Sequence, residues 1–503
     1  MHTSLLLEMA ADAFPDRVAI GSLEGGVTFE ELKHRARGAA AWFNSQAGET
    51  VVFIGYNGPA LSSAVFGSAM AGKPFAPLNY RLTDPDLRKL LARTAPSIAI
   101  VDDDMLERVR GIEGVTVTGR NEFAAHCRDH IAQGAELPEV DPDIAVLLFT
   151  SGTTGEPKAA VLRHRHLASY VISTVEFMGA EEEECSLVSV PPYHIASISA
   201  ALTGVYSGRR AVYIPNFTPE AWVDVASFEK VTHAMVVPTM LDRILSVLET
   251  RGEKLPHLRA LSYGGGRMPL PTIEKAVTLL PQVDFVNAYG LTETSSTISV
   301  LGPEDHRTAI ASDDPNVRRR LGSVGRPLPA LEVEIRDAEG HAVGPGVPGE
   351  VYVRGEQVAG EYLHKKVIQD DGWFPTNDSG WLDDEGYLFL EGRLDDVIVR
   401  GGENMSPGEI EDVLRTHPGV ADVAVLGVPD DRWGERVAAV IVPSGEAAPS
   451  VEELSEWVRT RLRSTKTPET WEFRAELPYN ETGKLLRRVL KAELAEAAER
   501  PRD

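Results

Sequence analysis

FTSGTTGEPKAAV, Phe149 to Val161, is the stretch whose reading decides the rest of the chain. Between Thr150 and Lys158 it holds four hydroxyl side chains (Thr150, Ser151, Thr153, Thr154), two glycines (Gly152, Gly155) and Lys158. Glycines let backbone N–H groups approach a ligand closely. Hydroxyls add donors, and the lysine adds a positive charge. Together they make a loop suited to a polyphosphate. The loop leaves the apolar run Ile144 to Phe149, which predicts a buried strand. α/β proteins place ligands where such strands end. The spacing is not that of a Walker P-loop, which needs G-x-x-x-x-G-K-[ST].

At 503 residues the chain exceeds what one hydrophobic core organises, so two or more domains are expected. Apolar content of 43% and charged content of 25% fit a soluble globular enzyme. No apolar run approaches the roughly 18 residues needed to span a bilayer. The start, MHTSLLLEMAADAFPDR, has acids and no basic n-region, so it predicts an amphipathic first helix. Cys127 and Cys185 lie far apart without metal spacing, and a reducing cytoplasm is the expected location. A net charge of −25 sets aside a non-specific nucleic-acid binder.

Residues 1 to about 140 alternate apolar helices (Leu61–Ala71, Asp84–Ala92) with short strands (Val51–Ile54, Ile98–Val101), which predicts an α/β layer. The loop strand is expected to open a second α/β stretch, with strands Ser186–Val190, Ala211–Ile214 and His233–Val237. EEEE at 181–184 reads as a solvated loop. From about Leu321, short alternating strands such as LEVEIRD (331–337) and GEVYVRG (349–355) predict a small β unit. After Arg393 the pattern becomes compact α+β. Its expected helices are Glu409–Arg415, Val451–Leu462 and one after Lys484, and its expected strands are Val420–Val428 and Val437–Val442. The expected domains are 1–394 and 395–503, a large α/β domain of two subdomains plus a small β unit, then a small mobile α+β domain.

Five further stretches carry chemistry. NAYGLTET, Asn287 to Thr294, follows an apolar run. Its tyrosine can stack on a purine and its glutamate can hold Mg²⁺, although a Tyr-Gly turn alone is more often structural. Upstream, Gly264, Gly265 and Gly266 form a flexible turn. GWFPTNDSGWLDDEGYLFLEGRLDD, 372 to 396, reads on its own as a solvated acidic hairpin. VIVRGGENMSPGEIEDVL, 397 to 414, contains a Gly-Gly turn, and LPYNETGKLLRRVLK, 477 to 491, opens a basic helix. In PPYHIAS, 191 to 197, a lone histidine is more often a satisfied core residue than a catalytic one.

In this order the motifs resemble those of the adenylate-forming superfamily, which includes acyl-CoA synthetases, peptide-synthetase adenylation domains and luciferases. The likeness runs over nearly the whole chain and is strongest to acyl- or aryl-CoA ligases. It implies that Thr150, Ser151, Gly152, Thr153, Thr154, Gly155 and Lys158 hold the ATP phosphates. It puts Tyr289 and Gly290 at adenine, Thr292 at phosphate and Glu293 on Mg²⁺. Gly264, Gly265 and Gly266 would line adenine and the acyl pocket. The likeness also puts Asp378 on ribose, Arg393 on the sugar-phosphate and the hinge at Asp395. Lys484 would be the catalytic lysine that bridges carboxylate and α-phosphate. His194 would lie beside the reacting carboxylate, with Ile195 and Ala196 in the acyl pocket. Gly401 and Gly402 would let pantetheine pass, with Trp433 on CoA.

This chain departs from the family pattern twice. Ala159 stands where many members have glycine, though some aryl-CoA ligases share the alanine. Thr376-Asn377-Asp378 replaces the usual T-G-D, keeping the acid.

The implied reaction is activation of a carboxylic acid by ATP as acyl-AMP, followed by transfer to CoA as a thioester. Small pocket residues (Ile195, Ala196, Ser197, Ser199 and the glycines) favour a bulky or long apolar acid over acetate. Arg267 is the candidate anchor for any second carboxylate. Three alternatives stay open: a carrier protein as acceptor, an enzyme of one half-reaction, and a catalytically dead ATP sensor. The joint presence of Lys484, Glu293 and Asp378 argues against the last.

Overall fold

The computed structural model describes residues 1–129, 143–150, 157–430, 432–445, 448–479 and 485–499. The chain forms a large N-terminal domain of mixed α/β structure followed by a small C-terminal domain.

An eight-stranded sheet runs Lys365–Lys366, Glu361–Tyr362, Lys158–Arg163, Ile144–Thr150, Phe75–Pro77, Thr50–Ile54, Ser97–Val101, Val115–Gly119. Its central strands are continuous apolar runs because helices cover both faces. One covering helix, Pro59–Ala71, is buried on every side. Its small residues let it lie close to helix Phe29–Ser45, and a Cβ on Gly67 would sit 2.6 Å from Ala39 Cβ. Helix Phe29–Ser45 starts at a full capping box between Thr28 and Glu31. The first helix, Ser4–Ala13, buries Leu6, Leu7, Ala10 and Ala11, as the amphipathic reading expected.

A nine-stranded sheet holds, from one edge, Arg326–Pro327, Ser296–Leu301, Asp284–Leu291, Ala260–Gly264 and His233–Val236. It continues through Cys185–Val188, Arg210–Tyr213, Val18–Ile20 and Val27–Thr28. Two sequence expectations are corrected here. Strand Ile144–Thr150 belongs to the first sheet, where Phe75 pairs with Val146 in parallel. It does not open the second layer, because Lys158–Arg163 turns straight back on it as an antiparallel partner. Conversely, the N-terminal hairpin crosses over, and Ile20 pairs with Ala211. The third correction is Glu184. Glu181, Glu182 and Glu183 are exposed in a loop as read, but Glu184 is a half-buried acid facing Arg209 at 2.8 Å and Arg259 at 3.6 Å.

The small β unit is a four-stranded antiparallel sheet, Glu332–Arg336, Gly349–Arg354, Phe374–Leu382, Leu388–Arg393. The acidic stretch that reads as a solvated hairpin supplies its last two strands. The fourth sheet is formed by Glu403–Met405, Ile398–Arg400, Gly434–Pro443, Val420–Asp430 and Thr470–Phe473. Helices Pro407–Arg415, Val451–Arg459 and Arg487–Glu499 accompany it. Two buried clusters of this region draw only on residues between Ile398 and Leu494, so it has a core of its own.

Candidate functional site

The ladder between Ile144–Thr150 and Lys158–Arg163 closes at Thr150 opposite Lys158 and so fixes both ends of the glycine-rich loop. Ser151, Gly152, Thr153, Thr154 and Gly155 lie outside the described residues. Arg93 braces the loop's exit by donating to the Pro157 carbonyl at 3.0 Å. Ala159 is a buried residue of the returning strand, and its carbonyl accepts from the Leu363 N–H at 2.9 Å. Alanine there is an ordinary strand residue.

Neighbouring strands in the other sheet carry the next two motifs. A Cβ on Gly264 would meet the Ala288 carbonyl oxygen at 2.2 Å, and one on Gly290 would meet that of Ser296 at 1.7 Å. Only glycine admits these approaches. Gly265 follows in the left-handed region at φ 79° and is exposed with Gly266. Strand Asp284–Leu291 ends by presenting Tyr289, and the turn Thr292–Thr294 presents Thr292 and Glu293.

Tyr289 meets the ribose-motif acid directly. Its hydroxyl donates to Asp378 Oδ2 at 2.6 Å. Asp378 is buried and pairs across the sheet with Arg393, whose Nε stands 3.3 Å from Oδ1. Arg393 Nη1 also donates to the Thr376 carbonyl at 2.7 Å. Burial, then the Asp378 charge, push the Tyr289 phenol well above its ordinary range, so it stays protonated. Burial disfavours the Arg393 charge, but the Asp378 carboxylate, helped by Glu293, outweighs it and raises the guanidinium's pKa. Glu293 Oε1 accepts from the Tyr362 hydroxyl at 2.6 Å, and its carbonyl accepts from Ala359 N–H at 2.8 Å and Gly360 N–H at 3.1 Å. Tyr362 pairs with Ala160, so Glu293 is tied to the strand that leaves the phosphate loop. Residues from 158 to 393 thereby converge. Sequence reasoning missed Tyr362. It sits in a short edge strand, and no spacing marks a tyrosine that reaches a glutamate 69 residues earlier.

His194 caps helix Ile195–Ser207, against the ring of Tyr193 at 4.7 Å. Burial, then the Arg81 charge, lower its pKa to about 4, so at neutral pH the ring is uncharged. Ile195 and Ala196 are half-buried beside it. Arg267 does not point to a substrate anchor. It is ion-paired with Asp412 of the small domain, and Gly408 packs so closely that a Cβ would meet Arg267 Nη1 at 2.3 Å.

Lys484 lies outside the described residues. Its flanks are placed: Tyr479 and Leu485 pair as an isolated bridge, and the Tyr479 hydroxyl donates to Asp422 at 2.7 Å. Leu477, Pro478 and Tyr479 line a cavity of about 740 Å³ whose opposite wall includes Asn57, Arg81 and Pro191. The residues just ahead of Lys484 therefore face the large domain at Arg81 and Pro191. Gly401 and Gly402 are exposed on the small domain. A Cβ on Gly401 would stand 2.9 Å from the ring of Trp433, which is 38% exposed between Arg400 and Arg432. Asp395 is exposed in the turn Leu394–Asp396.

The chain matches the family model described as AMP-binding enzyme over residues 7–363, and that of the AMP-binding enzyme C-terminal domain over 409–484. It is 32% identical to a fatty acid–[acyl-carrier-protein] ligase of Streptomyces coeruleorubidus, with 92% of this chain and 91% of that one covered. It is 32% identical to a feruloyl-CoA synthase of an Amycolatopsis species, covering 94% and 95%. Among solved structures it superposes on o-succinylbenzoate CoA synthetase from Bacillus subtilis in complex with its acyl-adenylate intermediate. The TM-score is 0.82, the identity 29%, and 97% of each chain is covered. The same enzyme with ATP and magnesium ion matches at TM-score 0.81 and 28% identity, covering 97% and 99%.

Proposed function

This chain belongs to the AMP-binding enzyme family, and we propose that it is an AMP-forming acid–CoA ligase. A carboxylate is a poor electrophile at neutral pH. Joining it to AMP with release of pyrophosphate supplies a leaving group, and the thiol of CoA then attacks the mixed anhydride.

The observation that carries this reading is the single network Tyr289–Asp378–Arg393, with Glu293 close enough to favour the charged guanidinium. Asp378 is proposed to accept from the ribose hydroxyls and Tyr289 to lie along adenine. Arg393 is proposed to hold the sugar-phosphate, and Thr292, Lys158 and the glycine-rich loop the remaining phosphates. Among the described residues no group of three or more His, Cys, Asp or Glu could hold a metal unaided. One carboxylate completed by substrate phosphates is how Mg²⁺ is commonly held, and Glu293 fits that role. The ion would neutralise phosphate charge.

Neutral His194 is proposed beside the acid, where it adds no fixed charge to hold the carboxylate away from the α-phosphate. Lys484 is proposed to offset the repulsion between those two anions. The acid is proposed to be bulky or long and apolar, since the glycines at 264–266 and Ala196 carry little side-chain bulk and Arg267 is paired elsewhere. The boundary is proposed at 394–395 with the hinge at Asp395. Rotation there would bring Gly401, Gly402 and Trp433 to the site for CoA. Likeness to an acyl-carrier-protein ligase supports a second reading, with a carrier's phosphopantetheine as acceptor.

A panel of acids scored by pyrophosphate release, then by thioester formation with CoA or with a phosphopantetheinylated carrier, tests both readings. Adenylate formation with apolar acids and transfer to CoA is expected. Pyrophosphate release with transfer only to the carrier would replace the first reading by the second.

A further inference from the structure

We propose that Asn377 is a positioning residue that fastens the hinge to the nucleotide-site carboxylate and holds the small domain in the arrangement described above. The inference rests on the ligase reading.

Asn377 lies between Thr376 and Asp378 with φ at 60°, in the left-handed region, where asparagine is among the few tolerated side chains. Its backbone N–H donates to Glu350 Oε1 at 3.0 Å, which fixes the turn. Its side-chain Nδ2 donates to Asp395 Oδ2 at 2.9 Å. The sheet pairing between these strands ends with Asp378 opposite Arg393. The Asn377 side chain carries that connection past the last rung and into the hinge.

The adjacent Asp396 faces a cation on the other side. Its Oδ2 stands 3.8 Å from Arg487 Nη1, at the start of the C-terminal helix. Asp395 is thus hydrogen-bonded to the large domain while its neighbour faces a cation of the small one, and a rotation that turns the backbone of Asp395 must swing its carboxylate off Asn377. Glycine, usual at this position in the family, would accept the same φ yet could not reach Asp395. The chain therefore accepts a left-handed side chain and gains a contact on the hinge. A ligand that moves Asp378 also moves the residue that holds Asp395.

In this arrangement Leu477, Pro478 and Tyr479, ahead of Lys484, line the cavity that reaches Pro191 and Arg81, whereas Gly401 and Gly402 are exposed and take no part in its lining. The latch therefore favours acid activation over thioester formation.

Three variants test this: Asn377→Gly, which keeps φ and removes the side chain; Asn377→Asp, which sets carboxylate against carboxylate; and Asn377→Asp with Asp395→Asn, which rebuilds the bond with donor and acceptor exchanged. Pyrophosphate exchange reads the first half-reaction, and thioester formation from supplied acyl-adenylate reads the second. One lost hydrogen bond should lower the ratio of first to second by roughly three- to tenfold in Asn377→Gly, and at least as much in Asn377→Asp. The double variant should return to within about twofold of wild type. The KM for ATP should change far less than the ratio.

An unchanged ratio, both rates falling together, or no rescue in the double variant would overturn the proposal. A distance measurement separates this outcome from failure of the ligase reading. Both native cysteines are buried, so spin labels can go on cysteines introduced at exposed Glu339 and Glu456. Asn377→Asp should broaden or shift the interdomain distance relative to wild type whether or not any acid is activated. An unchanged distance distribution overturns the latch. Wild type that releases pyrophosphate with no acid overturns the ligase reading alone, and the distance result still judges the latch.

Discussion

The hydroxyl of Tyr289 donates to Asp378 across 2.6 Å, joining residues 89 apart in the chain. Asp378 is buried, and the tyrosine and Arg393 hold different oxygens of its carboxylate. Tyr289→Phe removes one of these bonds to a buried carboxylate, at a cost of about 1–2 kcal/mol of stability. The aromatic face proposed for adenine is kept. Urea unfolding should therefore shift while the KM for ATP stays within about twofold. A large rise in that KM at unchanged stability would mean the hydroxyl itself binds nucleotide.

Asp378→Ala should act oppositely. Two ribose hydroxyls would lose a charged acceptor worth about 2 kcal/mol, or roughly thirtyfold in the KM for ATP. Arg393 keeps its bond to the Thr376 carbonyl, so the arginine stays placed. Steady-state kinetics with ATP and acid varied separately check this: the effect should fall on ATP. Unaltered ATP affinity would put ribose elsewhere.

Glu293 and Tyr362 separate metal binding from support. Glu293→Gln replaces a hard anionic donor by an amide and should raise the Mg²⁺ needed for half-maximal adenylate formation at least tenfold, by the order of ~1.4 kcal/mol. Tyr362→Phe keeps the carboxylate and removes only the hydroxyl that holds Oε1, so its shift should be smaller. A magnesium titration of both variants decides. Equal shifts would assign the metal role to the pair, and an unshifted Glu293→Gln would remove it from Glu293.

Acid lability should come from buried neutral histidines, among them the pair that opens helix His164–Thr174. Burial, then the charges of His2 and the N-terminus, lower His164 to about 3. Burial, then Arg165 and Arg163, lower His166 to about 4. Unfolded, each takes up a proton near pH 6.5. Between that pH and about 4 the unfolded state binds more protons, so stability falls as pH falls. The loss is on the order of 2 kcal/mol per ring by pH 4.5. His166→Gln should therefore gain relative to wild type on going from pH 7 to 4.5, measured by urea midpoints at both pH values. A constant difference would show that His166 does not titrate in this window.

What the sequence made legible follows from where the signal is local. Helix Asp84–Ala92 has the bounds its pattern predicts, because Thr83 caps it and Pro85 opens it. Strand Ser97–Val101 is read equally well from an apolar run buried throughout. Helix Val451–Arg459 stops three residues short of Leu462, since apolar spacing alone does not mark its last turn. Sheet membership was not legible. Nothing local in VAI, Val18 to Ile20, says that it pairs with Ala211 rather than with the sheet formed by its sequence neighbours. The same limit governs the site. Tyr289, Glu293 and Asp378 could be singled out by motif, but Tyr362 on Glu293 and Asn377 on Asp395 are contacts made only by the fold. Arg267, a candidate anchor from its place after three glycines, goes to Asp412 because the small domain lies against it.

Lys484 gives the sharpest test of the two-step reaction. The residues that flank its loop are pinned, Tyr479 to Leu485 by backbone pairing and Tyr479 to Asp422 by a 2.7 Å bond. Tyr479 and Asp422 line the cavity facing Arg81 and Pro191. A cation delivered from there is needed while carboxylate and α-phosphate, both anionic, approach each other. It is not needed when a thiol attacks an adenylate already made. Lys484→Ala should therefore lose ~3–4 kcal/mol of transition-state stabilisation in the first step, or ~10²–10³ in rate. The same variant should still make thioester from supplied acyl-adenylate and CoA. Both assays are run on one preparation beside wild type, with circular dichroism to show that the variant is folded. A folded variant that fails with supplied adenylate would place Lys484 in the second step as well. Wild type that uses supplied adenylate but makes none from acid and ATP would reduce the enzyme to the second half-reaction. Ala159 would then be the first residue to change to glycine, because it adjoins Lys158 at the exit of the phosphate loop.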